Sequence, residues 1–198
     1  MGETNVNLAA LIGSRICHDL ISPIGAISNG LELLDLAGGA QGPEMDLIAD
    51  SVGNAGARIR FFRIAYGAAG EQKLGRAEIV SVLDDMLRGG RLKVQWAPLE
   101  PQSRAKVRLA FLALQCLETA MPYGGTVRIM AEDDVWTAIG KADKLNIDDN
   151  LWSDLGAPGT MPKITPAQVQ FALLPAVAAD LGSKPCMVHD GDQITIRF

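Results

Sequence analysis

The chain has 198 residues, 48% of them hydrophobic, with 18 basic against 23 acidic side chains and a formal net charge of −5. That length suits one ordinary domain, or a small helical domain followed by a compact second one, and the second arrangement is expected. No apolar run approaches the roughly 18 residues of a membrane span, no cleavable leader pattern stands out, and no basic block could neutralise a nucleic-acid backbone, so a cytoplasmic protein without membrane or nucleic-acid partners is expected.

From Asn7 to Leu36 the only helix breaker is Pro23, and Ile12, Ile16, Leu20, Ile24, Ile27, Leu31 and Leu34 recur at helical spacing. Gly38-Gly39 ends this helix, and Pro43 with Glu44 behind it opens a second one. In the second helix Ile48, Val52, Ala55, Ile59, Phe62 and Tyr66 alternate steps of four and three, the seam of a bundle. Two helices alone leave part of each apolar stripe in water, so a two-fold homodimer forming a four-helix bundle is expected.

Beyond Gly75 the elements shorten. The pattern predicts a helix over Ala77–Leu87, a strand over Leu92–Trp96, a helix over Lys106–Thr119, and a hairpin of Thr126–Ala131 with Val135–Ile139 around Glu132-Asp133-Asp134. Thr165, Pro166 and Gln168 make a capping box that opens a helix to Leu181, with a kink expected at Pro175. Asp190-Gly191 predicts the turn between Met187–His189 and Gln193–Phe198, while residues 146–163 read only as a loop with a short helix. The fold class is therefore α+β.

The three cysteines, Cys17, Cys116 and Cys186, are an odd number with no metal-ligand spacing, and the two histidines, His18 and His189, lie in unlike contexts. Met1-Gly2 lacks the Ser or Thr that N-myristoylation requires at position 6, where Val6 stands.

His18 is the candidate reactive group. At about 100° per residue, the stripe through Ile16, Leu20, Ile24 and Ile27 leaves His18 on the outward side, with Ser22, Gly25, Asn29 and Glu32 along the same face. A neutral imidazole is a competent nucleophile, and Asp19 can accept a hydrogen bond from the ring N–H and stabilise the imidazolium that develops. Pro23 predicts a bend beside the histidine, Gly25 removes side-chain bulk where a partner could approach, and Arg15 could pair with a phosphoryl oxygen or a partner carboxylate. A lone surface histidine would show the same exposure; the combination with Asp19 and Pro23 selects the reactive reading.

The run His18-Asp19-Leu20-Ile21-Ser22-Pro23 resembles the H-box of histidine-kinase dimerisation domains, and its continuation to Leu34 resembles the ChpT-type histidine phosphotransferases along the whole chain. The resemblance implies a long antiparallel helical hairpin, residues 1–72, forming a dimeric four-helix bundle that carries the phosphorylated histidine. Residues 73–198 are then a degenerate histidine-kinase ATPase-like α/β sandwich, which either packs on the bundle or helps grip a partner. Cys116 to Val127 resembles the kinase N-box and its following strand, with Cys116 where the kinase motif has the magnesium-holding Asn; neither a DxGxG element nor a GxGxG lid follows. ATP use is therefore expected to be lost.

The expected activity is phosphotransfer between response-regulator receiver domains through His18 and Asp19, with Arg15, Ile21, Ser22, Gly25, Asn29 and Glu32 as candidate docking residues. In the family it resembles, the donor is the receiver domain of a hybrid histidine kinase and the acceptors are response regulators. No cofactor of its own is expected, magnesium coming from the receiver. The competing readings are an ATP-dependent histidine kinase and a non-catalytic scaffold that binds receivers or kinases.

Overall fold

A computed structural model describes residues 2–37, 43–68, 70–153, 155 and 164–198, with side chains described from residue 8 onward apart from those of residues 35 and 37. The Gly38-Gly39 stop and nearly all of residues 154–163 lie outside the described residues.

Two antiparallel helices open the chain, α1 (Gly2–Ala37) and α2 (Pro43–Ala65). At 1.5 Å per residue α1 is about 54 Å long. It begins earlier than the apolar pattern indicates because residues 2–6 carry no breaker, only no stripe. In α2, Glu44 and Asp46 lie in the first turn and Arg63 in the last, each opposite in sign to the adjacent helix pole.

Ile24 and Leu31 on α1, with Val52 and Ile59 on α2, all read as seam residues, remain more than half exposed. At these positions each helix of the hairpin covers only one side of the other's stripe, and no other described residue covers the far side. Lower down, Phe61 and Phe62 of α2 turn into the main core.

That core lies against a five-stranded sheet of order β2-β4-β5-β7-β6, in which β2 (Leu92–Trp96) and β4 (Gly125–Glu132) pair in parallel. The remaining pairs, through β5 (Val135–Lys141), β7 (Gln193–Arg197) and β6 (Cys186–Asp190), are antiparallel. Short β1 (Lys73–Leu74) and β3 (Gln102–Ser103) pair separately. Helices α3 (Arg76–Leu87) and α4 (Arg104–Ala120) pack on the sheet, and α6 (Val169–Asp180) packs on α4 after a 3-10 turn at Pro166–Gln168. The short α5 (Asp149–Ser153) falls within the stretch that read as loop and short helix.

Helix α4 is the centre of the core, with every residue from Leu109 to Leu117 buried. Ser103 caps its start, accepting the Lys106 N–H at 3.3 Å. Asp133 and Asp134, both at positive φ, make the β4–β5 turn. The final turn is Gly191-Asp192, one residue later than Asp190-Gly191, because Asp190 already pairs with Gln193. Gly124, at φ 95°, is required: a Cβ there would lie 2.5 Å from the Arg91 carbonyl oxygen where β4 joins β2.

The hairpin is fastened to the sandwich at the end of α2. Phe61 stacks on Phe111 of α4 at 4.7 Å between centroids. Arg104 donates to the carbonyls of Arg63 and Ala68, and Arg108 to that of Ala65. Carbonyls at a helix end lack intrahelical donors, so two guanidinium groups there satisfy them and oppose the negative pole.

Candidate functional site

His18 sits near the middle of α1 with 82% of its side chain in solvent. Its Nδ1 lies 3.1 Å from Oδ1 of Asp19. An ionised carboxylate only accepts, so Nδ1 of a neutral ring carries the proton and Nε2 keeps its lone pair. Helix geometry explains the exposure: the half-buried faces of α1 run through Ile16, Leu20 and Ile27, and His18 points away from them.

Asp19 is the opposite case, with only 9% of its side chain exposed. Arg15, one turn earlier, donates Nε to Oδ2 at 2.8 Å, and Arg58 of α2 brings an amino group to 3.7 Å from the same oxygen. The guanidinium of Arg15, itself 16% exposed, also donates to the carbonyl of Ala167 at 2.6 Å. Sequence reading assigned Arg15 to an incoming phosphoryl group or a partner carboxylate; here its carboxylate partner is Asp19 of its own helix. Pro23, buried five residues after His18, has no N–H for the Asp19 carbonyl, and α1 continues through it.

Two further groups lie near this cluster, Glu118 of α4 on the sandwich side and Tyr66 just beyond the end of α2. Desolvation raises the Glu118 carboxyl above the ordinary glutamate range, with Arg15 and Arg58 pulling it back and Asp19 pushing it further, although the residue as a whole is exposed. Burial likewise pushes the Tyr66 phenol up, opposed by Arg15 and by the bond to Gln115. The Tyr66 hydroxyl lies 3.0 Å from Nε2 of buried Gln115, and Gln170 of α6 donates to Thr119 at 3.0 Å. A polar seam thus runs from the end of α2 through α4 to α6.

Ile21, Ser22, Gly25, Asn29 and Glu32 are all exposed and fall within about 60° of His18 around the helix, a stripe roughly 21 Å long. A Cβ on Gly25 would meet nothing within 4 Å. Nothing among the described residues requires a glycine there. Cys116 is fully buried, and burial raises its thiol well above the usual range. A thiol so placed does not suit a hard cation. Among the described residues, no group of three or more His, Cys, Asp or Glu is placed to hold a metal, and no helix is long and apolar enough to cross a membrane.

Arg58, Tyr66, Glu118 and Ala167 were absent from the sequence-based candidates. Arg58 could have been found only with the hairpin register in hand, and Ala167 acts through its backbone, which carries no sequence signal.

Residues 76–193 match the family model described as "Histidine phosphotransferase C-terminal domain". A relative from Brucella abortus (strain 2308), protein phosphotransferase ChpT, is 40% identical over 132 residues, covering 64% of this chain and 62% of that protein's length. A solved structure described as a bacterial phosphotransferase is 34% identical and superimposes with a TM-score of 0.78 over 97% of this chain and 95% of its own. The histidine kinase AdeS of Acinetobacter baumannii aligns at 11% identity with a TM-score of 0.44, over 91% of this chain and 95% of its own. With more than half its length under one family model and a relative over nearly its whole length, the chain belongs to the ChpT-type histidine phosphotransferase family.

Proposed function

We propose that this protein relays phosphoryl groups between response-regulator receiver domains through a phosphohistidine at His18, without using ATP. The observation that carries the reading is the pairing of an exposed imidazole with a buried carboxylate that binds its Nδ1, leaving Nε2 free toward solvent. A receiver docks its phosphoaspartate along the stripe from Ile21 to Glu32. The Nε2 lone pair attacks phosphorus in line, the N–P bond forms as the P–O bond to the aspartyl carboxylate breaks, and the carboxylate leaves. The positive charge gained by the ring is offset by Asp19. Transfer to a second receiver runs the same step in reverse.

Positioning supplies most of the catalysis in such a step, and the magnesium that balances phosphoryl charge belongs to the receiver's own acidic pocket. The open stripe supports docking by a close-fitting surface: a mid-helix glycine costs roughly 0.5–1 kcal/mol relative to alanine, and Gly25 has no packing reason among the described residues. Buried Cys116 argues against nucleotide use. The exposed apolar residues Ile24, Leu31, Val52 and Ile59 support a homodimer in which two hairpins complete a four-helix bundle. In this reading residues 1–72 form the dimerising phosphotransfer unit, residues 73–198 the degenerate sandwich, and the protein works in the cytoplasm, taking phosphate from the receiver of a hybrid kinase and passing it to response regulators.

The test is incubation with phosphorylated receivers, using wild-type and His18→Ala protein, with ATP alone as a parallel arm. Acid-labile label on wild type from a receiver and none from ATP supports the relay. Label from ATP alone would indicate a kinase, and receiver binding without transfer in both forms a scaffold.

A further inference from the structure

Arg15 links the sandwich to the histidine by hydrogen bonds. Arg15 holds Asp19 with Nε at 2.8 Å while another nitrogen of the same guanidinium binds the Ala167 carbonyl at 2.6 Å, 152 residues away in sequence. That carbonyl sits in the turn at Pro166–Gln168, which is tied by the Thr165 N–H donating to Oε1 of Gln168 at 3.0 Å and by the Gln168 N–H donating to the Thr165 carbonyl at 2.9 Å. Arg58 approaches Asp19 from α2 and is braced by Asn54, which accepts its Nε at 2.9 Å.

Resting on the assignment of His18 above, we propose that Arg15 and Arg58 are positioning residues for phosphotransfer, and that the sandwich acts on the site by fixing Arg15. The chain of contacts runs Ala167 carbonyl, Arg15, Asp19, His18 Nδ1. Its chemical output is the tautomer of the ring. An imidazole free in water populates both neutral tautomers, whereas one whose Nδ1 faces a fixed carboxylate keeps the proton there and leaves Nε2 nucleophilic. Asp19 can hold that tautomer only while its own orientation is held, and a carboxylate so little exposed turns toward whichever cation remains. A planar guanidinium spans Asp19 and Ala167 together; a lysine nitrogen is a single point and does not replace the fork. This gives the ATP-free sandwich a function within the relay: it holds the nucleophile ready.

The experiment is nitrogen NMR of protein labelled in its two histidines, with His189, on β6, as the internal control. The variants are Arg15→Met, Arg15→Lys, Arg58→Met and, in the sandwich, Gln168→Ala. Wild type should show His18 with the proton on Nδ1. Arg15→Met, Arg15→Lys and Gln168→Ala should move it toward a mixture while His189 stays unchanged, and transfer from a phosphorylated receiver should slow by about five- to tenfold in Arg15→Met, following the fraction of rings left in the competent tautomer. Arg58→Met should move it less, its cation being the more distant. A wild-type ring protonated on Nε2, or an Arg15→Met ring unchanged from wild type, would overturn the proposal. An unchanged Gln168→Ala ring would overturn the role of the sandwich. Failure of wild-type His18 to accept phosphate would instead count against the relay itself, since the tautomer is read in the free protein.

Discussion

Replacing Tyr66 by Phe tests the polar seam that joins hairpin to sandwich. The ring remains, so its stacking on Phe62, with centroids 5.3 Å apart, is kept. What disappears is the hydroxyl 3.0 Å from Nε2 and 3.2 Å from Oε1 of Gln115, a side chain only 3% exposed whose carboxamide has no other hydrogen-bond partner among the described residues. Leaving a buried amide unpaired costs about 1–3 kcal/mol, which for a chain of this size lowers the melting temperature by about 2 to 12 °C. Removing both partners should cost far less: Tyr66→Phe with Gln115→Met is expected to recover most of the loss, because no polar atom is then stranded. The phenol's folded value lies above 10.0, so the native state holds its proton more tightly than the unfolded chain does. Stability from this group is present below pH 10 and falls as pH rises beyond it, so the gap between wild type and Tyr66→Phe should narrow in alkali. Urea unfolding at one fixed protein concentration, with circular dichroism, reads all three. A single variant within about 0.5 kcal/mol of wild type, or a double variant no better than the single one, would refute the reasoning.

Glu118→Gln should raise the melting temperature only slightly at pH 7, because solvent screens this exposed residue. Its folded value is raised above 4.5, so wild-type stability falls as pH rises through that range and the advantage of Gln should vanish below pH 4.5; equal differences at both pH values would contradict the desolvation argument. Gly25→Ala should stabilise α1 by roughly 0.5–1 kcal/mol and slow transfer from a receiver, so an accelerated transfer would remove Gly25 from the docking face. Ile59→Asp should convert a dimer to a monomer in sedimentation at micromolar concentration while leaving the sandwich folded; an unchanged sedimentation coefficient would place the interface elsewhere.

The hairpin was legible because its apolar residues keep helical spacing over two long segments, and the exposure of His18 because it lies off that stripe. The seam was only half legible. Spacing identified Ile24, Val52 and Ile59 as apolar stripe, but that they stay more than half exposed in the folded chain is a matter of packing, which periodicity does not report. The two-residue strands Lys73–Leu74 and Gln102–Ser103 are too short to carry an alternation. The clamp on Asp19 was illegible for a different reason: it needs the register of α1 against α2 and a backbone carbonyl from a turn at Ala167. Local sequence reports neither. What sequence could supply was a candidate reactive group, and what the fold added was how that side chain is held.

The most direct test of the account is a two-receiver relay in one tube. A donor receiver carrying labelled phosphate, an acceptor receiver and purified protein are mixed without ATP, and label is followed with time on all three. The account predicts transient label on wild-type His18 followed by label on the acceptor, and neither with His18→Ala. Label reaching the acceptor at the same rate with His18→Ala would contradict it.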